Sequence, residues 1–230
     1  MNKIGEWETL NNEIIACRQC PRMVEWREQV ARERRRAYRE WEYWGKPVPG
    51  FGDIDARVLI VGLAPGAHGS NRTGRMFTGD SSGDFLYRAL HKVNYSSSPV
   101  SKQVDDGLSL RDVYITAVCR CAPPDNKPTS KEISTCLPYL EREIQMLRRL
   151  RGIVVLGKIA FDYVLQHYRR VVKIEPAPIF SHTAFYSLGS DYPWLLASYH
   201  PSRQNTQTGR LTEAMFDSIW STTSELLRSV

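Results

Sequence analysis

The chain has 230 residues, of which 42% are hydrophobic and 24% are charged, and its formal net charge is +6. This composition excludes a wholly disordered protein, and the length suffices for a core that folds without a metal or disulfide staple. The sequence contains no run of about 18 apolar residues, so we expect no transmembrane helix. One domain over residues 1–230 is expected, with residues 1–50 as a distinct N-terminal segment.

The N-terminus and the cysteines indicate a cellular compartment. Met1 to Leu10 include Glu6 and Glu8 and lack the apolar stretch of a signal peptide. The five cysteines are an odd number, which does not fit a simple disulfide framework. We therefore expect the protein to stay in a reducing cytoplasm.

A stretch rich in arginine, glutamate and aromatic residues runs from Arg22 to Trp44 without glycine or proline. Its apolar residues recur at helical spacing, which predicts one helix with a single apolar stripe. The stripe consists of Trp26, Val30, Ala37, Trp41 and Trp44, and the polar face carries Arg27, Arg32, Arg34, Arg35, Arg36 and Arg39. That polar face is either simply solvated or contacts phosphate groups.

Beyond residue 50, short apolar runs alternate with helical patterns. The predicted strands are Arg57–Val61, Val113–Val118, Gly152–Leu156 and Trp194–Ser198, and the predicted helices cover about 81–94, 130–150, 158–168 and 210–228. Near-continuous apolar strands that alternate with helices are typical of an α/β fold whose parallel sheet is covered on both faces.

Polar, glycine-rich or proline-rich residues follow every predicted strand. These segments are Leu63–Gly69 with Phe77–Asp80, Arg120–Pro124, Gly157–Lys158 and Tyr199–Asn205. Ligands of open parallel sheets bind outside the carboxyl ends of the strands. We therefore expect the four segments to converge on one cleft.

Four of the cysteines form two remote pairs. Cys17 and Cys20 form a CxxC motif, and Cys121 and Cys136 follow about a hundred residues later. Four such thiolates can hold zinc or an iron–sulfur cluster, which would pin the N-terminal segment to the α/β body. Cys119 lies two residues before Cys121 and competes with it as a ligand, and five unrelated buried thiols are the structural alternative.

The segment after the first strand contains five glycines between Gly62 and Gly79, but it matches neither a P-loop nor a dinucleotide-binding fingerprint. Phe77 within it is either a core residue or a stacking platform for a flat ring. Asp80 is either the N-cap of the next helix or a carboxylate that positions water or stabilises a developing cation. His200 ends the fourth strand, where its imidazole can donate a hydrogen bond to an oxygen that gains negative charge.

Three separated motifs carry a resemblance to a known family. Gly62–Gly69, Asn71–Asp80 and His200-Pro201-Ser202 resemble the uracil-DNA glycosylase superfamily. Together with Cys17, Cys20, Cys121 and Cys136, they are most similar to its iron–sulfur family 5. The resemblance implies a three-layer α/β/α fold around a four-stranded parallel sheet. It also implies a structural [4Fe–4S] cluster on those four cysteines, with Cys119 as a bystander.

The resemblance further implies an activity and a set of site residues. The expected reaction is hydrolysis of the N-glycosidic bond of uracil in DNA, and also of other deaminated bases such as hypoxanthine. Phe77 would stack on the flipped base, and His200 would stabilise the departing base as an anion. The base pocket would further include Gly62, Ala64, Pro65, Gly66 and Asn205, and the DNA-probing segment would include Ser202, Arg203, Gln204 and Arg210.

Two features depart from most of the superfamily. Leu63 and Ala64 stand where most members carry a water-activating acid or amide, and Ala117 stands where they carry a base-reading Asn. Both departures are features of family 5. They leave Asp80 as the best carboxylate and Asn126 or Asn205 as candidate amides. Fewer fixed hydrogen bonds in the pocket fit a relaxed choice of base.

Three functional hypotheses follow. The first is a monomeric DNA glycosylase, and the second is a non-catalytic nucleic-acid-binding protein that holds iron–sulfur or zinc. The third is an enzyme that acts on a free nucleotide or another small phosphate ester.

Overall fold

A computed structural model describes residues 2–229 and contains one six-stranded mixed sheet. The strands are β1 (Phe51–Gly52), β2 (Val58–Gly62), β3 (Val113–Ala117), β4 (Gly152–Leu156), β5 (Phe185–Tyr186) and β6 (Trp194–Ser198). Their spatial order is β1-β3-β2-β4-β6-β5. The four central strands are parallel, and the short edge strands β1 and β5 pair antiparallel to them.

Helices cover both faces of the sheet. They are α1 (Lys3–Ala16), α2 (Pro21–Glu33), α3 (Ser70–Thr73), α4 (Ser81–Lys92), α5 (Ser130–Met146), α6 (Lys158–Tyr168), α7 (Arg203–Gln207) and α8 (Glu213–Arg228). Side chains alternate along each strand, so Leu59 and Val61 pack into the core beneath α1, α5 and α6. Val58 and Ile60 join the opposite core with residues of α4 and α8. The predicted three-layer α/β/α architecture is therefore confirmed, with two edge strands added.

The predicted central elements agree closely with the observed ones. The third and fourth predicted strands match β4 and β6 end to end. The first is displaced by one residue from β2, and the second extends one residue beyond β3. Four predicted helices correspond to α4, α5, α6 and α8. A capping box between Thr129 and Glu132 starts α5, as their spacing in the sequence indicates.

The single helix predicted from Arg22 to Trp44 is wrong. Helix α2 ends at Glu33, and Arg34 adopts a positive φ of 51° that breaks the helix. A short 3-10 turn over Arg36–Tyr38 follows, so the later aromatic residues do not continue the stripe. Arg27 was predicted on a polar face that is either solvated or in contact with phosphate, and this placement is also wrong, because its side chain is only 2% exposed.

Several short elements were not predicted from the sequence. Helix α1 carries Trp7, Leu10 and Ile14 into the core beneath the sheet. Helices α3 and α7 and strands β1 and β5 have only two to five residues each, too few for a periodic pattern. Over residues 2–229, no helix combines the length and the apolar character that a membrane crossing needs.

Candidate active site

The segments that follow β2, β4 and β6 meet at one edge of the sheet, as predicted, but the predicted fourth member is wrong, because Arg120 and Cys121 after β3 line a separate cavity. A cavity of about 260 Å³ opens there beside the ends of β2, β4 and β6. Its lining includes Leu63, Leu156, Gly157, Tyr199, His200 and Asn205. Backbone hydrogen bonds from Val118 to Gly62 and from Cys119 to Leu63 extend the sheet contacts past the strand ends. The segments after β2 and β3 are thereby held side by side.

Phe77 is fixed against the end of β2. Its backbone φ is +52°, and its side chain is 9% exposed. A Cβ atom at Gly62 would lie 2.7 Å from the Phe77 ring, so only glycine admits the ring at this position. The ring centroid lies 5.8 Å from that of His200, with an interplanar angle of 31°. Phe77 is therefore both largely buried and adjacent to the cavity that His200 lines.

Asp80 caps helix α4 with one carboxylate oxygen and presents the other to the glycine-rich segment. Oδ1 accepts hydrogen bonds from the backbone N–H groups of Ser82 and Gly83, each at 3.0 Å. Oδ2 faces Gly66 and Gly69, where an added Cβ would approach it to 2.8 and 2.1 Å. Burial raises the pKa of Asp80 despite the two backbone hydrogen bonds. The free oxygen is thus an acceptor in a partly desolvated site.

His200 is a neutral imidazole at physiological pH. It is half-buried, and desolvation lowers its pKa to about 4. The Asn205 side chain donates a hydrogen bond of 2.8 Å to the His200 carbonyl. The Ser202 hydroxyl accepts from the Asn205 backbone N–H at 3.3 Å and caps α7. Asn205 and Ser202 therefore fix the turn that carries His200.

A buried guanidinium joins the N-terminal segment to the active-site segment. The Arg72 guanidinium lies 3.9 Å from the centroid of the Tyr38 ring and 4.2 Å from that of Trp41. It also donates to the His68 and Gly79 carbonyls, each at 2.8 Å. The Gly79 carbonyl directly precedes Asp80, so Arg72 links the aromatic rings to the backbone that positions this carboxylate.

Residues 34–44, here called the arginine–aromatic segment, are held by further contacts. The Tyr43 hydroxyl lies 3.1 Å from Nδ1 of His68. The Trp44 backbone N–H donates to the Arg72 carbonyl at 2.9 Å. Arg34, Arg35, Arg36 and Arg39 remain exposed on this segment. Four cations are therefore displayed beside the segment that carries Asp80.

The structure brings the two remote cysteine pairs together. Cys17, Cys20, Cys121 and Cys136 line one small cavity next to the start of α2. The Arg27 guanidinium lies 3.0 Å from Cys121 Sγ, and the Arg120 backbone N–H donates to Cys136 Sγ at 3.3 Å. Cys119 does not line this cavity and is fully buried in the core beneath the sheet.

The cysteine cavity lacks the geometry of a single-ion site. Within residues 2–229, no three or more His, Cys, Asp or Glu side chains are grouped so that they could hold one metal ion. Two buried arginines, Arg27 and Arg120, adjoin the four sulfurs. Their N–H groups can compensate negative charge on thiolates.

Other predicted residues lie further from the reacting groups. Asn126 is exposed, with a φ of +56°, and within the described chain its side chain has no hydrogen bond to Asp80 or His200. The neighbouring Lys127 carbonyl accepts from Arg22, which places this turn near the start of α2. Arg203, Gln204 and Arg210 are exposed on and after α7, and the Arg210 guanidinium lies 4.8 Å from the Tyr199 ring. Ala64 and Gly66 are half-buried and Pro65 is buried in the segment after β2.

Three residues that organise the site are not predicted from the sequence. Arg72 and Arg27 are buried, although the sequence marks them only as charged. The Asn71 side chain donates to the Arg27 carbonyl at 3.2 Å, and its backbone N–H donates to the Gly66 carbonyl at 3.0 Å. The clustering of aromatic residues upstream of an Arg-containing glycine-rich segment is the one signal that could have indicated the Arg72 contacts.

Comparison with known proteins assigns the chain to a family. Residues 49–223 match the model of the uracil DNA glycosylase superfamily. A type-5 uracil-DNA glycosylase of Thermus thermophilus is 55% identical over 203 residues, which cover 88% of this chain and 90% of the relative. Type-5 enzymes of Mycobacterium leprae and Pyrobaculum aerophilum are 50% and 44% identical, over 94% and 90% of this chain and 93% and 88% of each relative. The chain belongs to the uracil DNA glycosylase superfamily, and within it to the type-5 family.

Replacing Arg72 tests its role in holding the arginine–aromatic segment. We expect Arg72→Ala to lower the free energy of unfolding by about 2 kcal/mol, because charge-assisted hydrogen bonds and cation–π contacts are lost together. Trypsin should then cleave between residues 34 and 39 faster than in wild type. Arg88→Ala, at an exposed position of α4, is the matched control and should leave both readouts unchanged. Unchanged cleavage in Arg72→Ala would contradict this role.

Proposed function

We propose that this chain hydrolyses the N-glycosidic bond between uracil and deoxyribose in DNA and leaves an abasic site. The observation that carries this proposal is that the neutral His200 imidazole lies beside the Phe77 ring at the carboxyl edge of the sheet, while the free Asp80 oxygen faces Gly66 and Gly69 in the segment that follows β2. Family membership supports the same reaction.

Phe77 would receive the base after the nucleotide has left the DNA stack. An enzyme that acts on a base inside a duplex must extrude it into a pocket and bind it there, commonly by aromatic stacking. The Phe77 ring is already held by Gly62 and lies beside the cavity lined by His200 and Asn205. Gly62 adjoins the Phe77 ring, and Ala64, Pro65 and Gly66 would complete the backbone of the pocket on the β2 side.

Asp80 would act on the sugar side of the reaction. As the bond between C1′ and the base nitrogen breaks, positive charge develops on the deoxyribose, and a nearby carboxylate stabilises it. A water molecule forms the new bond to C1′ and passes its proton to Asp80. The raised pKa of Asp80 makes its carboxylate a better proton acceptor than an exposed one.

His200 would act on the base side. The electron pair of the broken bond leaves with the base, whose oxygen then carries negative charge. A neutral imidazole can donate its N–H to that oxygen, and the pKa of about 4 keeps His200 neutral throughout the physiological range. Asn205, which fixes the turn of His200, would serve as a positioning residue.

The DNA would lie across the exposed cations around the cleft. Ser202, Arg203, Gln204 and Arg210 occupy the turn and helix after His200, and the arginine–aromatic segment borders the Asp80 side. Arginine forms bidentate contacts with phosphate groups, which position DNA without reading its sequence. A non-catalytic binding protein would need neither a desolvated carboxylate nor a desolvated neutral histidine after its strand ends, so this alternative is not favoured.

Base release from uracil-containing DNA tests the proposed reaction. We expect Asp80→Asn to slow single-turnover uracil release by about 10² to 10⁴-fold, because it removes the carboxylate that accepts the proton. His200→Ala should slow it by about 10² to 10³-fold through loss of the hydrogen-bond donor. The measurement is free uracil together with alkali-labile sites in the product DNA.

The stability of Asp80→Asn supplies the control for folding. Asparagine caps a helix as well as aspartate does, so α4 keeps its start. Burial raises the pKa of Asp80 above its ordinary value of 3.8, so the folded state binds this proton more tightly than the unfolded state does. The free energy of unfolding therefore falls as the pH rises through the raised pKa and Asp80 ionises in its buried site. At pH 7 the variant should therefore melt no lower than wild type. Uracil release at wild-type rate by this folded variant would refute the role of Asp80.

We also propose that the enzyme accepts other deaminated bases, including hypoxanthine. Ala117 offers no side-chain hydrogen bond at the end of β3, and a pocket with few fixed polar partners rejects few bases. The wild-type protein should release hypoxanthine from DNA, and Ala117→Asn should lower the ratio of hypoxanthine to uracil release by about tenfold or more. An unchanged ratio, or a wild-type protein that releases uracil alone, would contradict this breadth.

We propose further that Cys17, Cys20, Cys121 and Cys136 hold a structural [4Fe–4S] cluster. The support is that four thiols share one cavity and that N–H donors are directed at two of their sulfurs. Iron–sulfur clusters are held by four such thiolates. When bound, the cluster would supply a covalent tie between the start of α2 and the segment from β3 to α5.

The iron content of two variants distinguishes a proposed ligand, Cys121, from Cys119, which is not proposed as a ligand. We expect Cys121→Ser to lose most of the iron and sulfide, because a proposed ligand is removed. Cys119→Ser is the matched control and should retain both, because Cys119 lies outside the cavity. Elemental analysis and the brown colour of the purified protein report the result. Stoichiometric zinc in a colourless wild-type protein would refute the cluster.

The assembly and location follow from the same features. We propose that the protein acts as a monomer, because Phe77, Asp80 and His200 all follow the strand ends of a single sheet and need no residue from a second copy. Its five free cysteines fit a reducing compartment, and we place it in the cytoplasm.

A further inference from the structure

A second concentration of positive charge lies at the end of the sheet opposite the cleft. It consists of Arg57, Arg111, Arg148, Arg149, Arg151 and Arg228, here called the basal arginine cluster. These residues line two adjoining depressions of about 460 Å³ each, which share Arg57 and Leu227. None of these residues belongs to the active site.

The parallel strands explain why the cluster forms where it does. Arg57 directly precedes β2, Arg151 directly precedes β4, and Arg111 lies two residues before β3. The Arg151 backbone N–H donates to the Arg57 carbonyl at 2.7 Å, which joins two of these segments. A five-residue strand is about 16 Å long, so the strands separate the cluster from the cleft by at least that distance.

Most of the cluster's charge is uncompensated. Arg57 pairs with Asp112 through contacts of 2.8 and 2.9 Å, and Glu225 lines one depression. Arg148, Arg149 and Arg151 are exposed and form no salt bridge among residues 2–229. Arg149 interacts with Asp55 and Asp112 only at longer range, because these carboxylates pair directly with Lys3 and Arg57. The depression that holds these three also contains Arg57 and two leucines, and no acidic side chain lines it.

The lining favours phosphate over a protein partner. Protein interfaces have an apolar or aromatic core, whereas DNA interfaces are polar and strongly positive. Here Leu150 is half-buried and Leu227 is buried, so neither offers an exposed anchor for a peptide. Guanidinium groups without carboxylate partners are suited to bidentate contacts with phosphate oxygens.

We propose that the basal arginine cluster binds the phosphate backbone of a second DNA segment. The inference rests on the proposed function in taking DNA as the polyanion. A straight duplex that lies across the cleft does not reach the opposite end of the sheet, so the cluster contacts a separate segment. The protein thereby holds one segment while its cleft examines another.

Binding of short undamaged duplexes tests the proposal. Fluorescence anisotropy at salt concentrations from about 50 to 200 mM gives the stoichiometry and the salt dependence. The wild-type protein should bind a second duplex, and R148Q/R149Q/R151Q should lose it. For the second binding event, the logarithm of the binding constant should fall linearly with the logarithm of the salt concentration, with a slope of about −0.9 for each phosphate contact. Arg57 is left in place because its pair with Asp112 supports the structure.

A control variant with three substitutions outside the cluster distinguishes loss of the binding site from a general loss of positive charge. R88Q/K131Q/R169Q removes three exposed cations away from the cluster and should keep the second duplex. Equal loss in both triple variants would overturn the proposal, as would a single duplex per wild-type protein. Tight binding of polyglutamate with no second duplex would assign the cluster to an acidic protein instead. Circular dichroism melting checks that both variants fold.

Catalysis supplies an independent readout. R148Q/R149Q/R151Q should release uracil at the wild-type rate in single turnover at saturating DNA, because the cleft is unchanged. A large fall in that rate would place these arginines on the catalytic surface and overturn the proposal. If the wild-type protein binds the second duplex but releases no base, the proposed function fails while the second site stands.

Discussion

The active site depends on a buried guanidinium that two aromatic rings enclose. Arg72 lies between Tyr38 and Trp41 and donates to the carbonyls of His68 and Gly79. A buried cation of this kind is tolerated because the rings and carbonyls replace its hydration. The contacts fix the backbone on both sides of the glycine-rich segment, and they bring the arginine–aromatic segment to the same edge of the sheet. The Asp80 carboxylate and its surrounding cations therefore share one support.

The central part of the fold could be predicted because it follows from one simple pattern. Strands buried on both faces appear as continuous apolar runs, so β2, β3, β4 and β6 were recognised to within a residue. The edge strands β1 and β5 have two residues each and are held by backbone pairing, which leaves no side-chain signature. The predicted long N-terminal helix failed because spacing alone does not reveal the positive φ of Arg34.

The site was predictable where residues follow strand ends and unpredictable where buried polar groups support them. The cleft, the Asp80 cap and the cavity lined by His200 follow from their positions in the chain. Sequence patterns place arginine on surfaces, so the burial of Arg27 and Arg72 could not be read from composition. Arg27 contacts Cys121 through its side chain, and its carbonyl accepts a hydrogen bond from Asn71, whose backbone N–H donates to Gly66. No sequence pattern indicates this chain of contacts. The sequence offers both Asn126 and Asn205 as candidate amides of the site. Asn126 is exposed in the structure, whereas Asn205 donates a hydrogen bond to the His200 carbonyl.

The conformation of Phe77 has an energetic consequence for recognition. A non-glycine residue at a φ of +52° is strained by about 1 to 2 kcal/mol, and the surrounding structure must hold it there. The ring is thus immobilised when the protein folds, and its rotamer entropy is lost then rather than at the encounter with substrate. An extruded base would meet a preorganised surface, so more of the stacking free energy remains to offset the unpairing of the duplex.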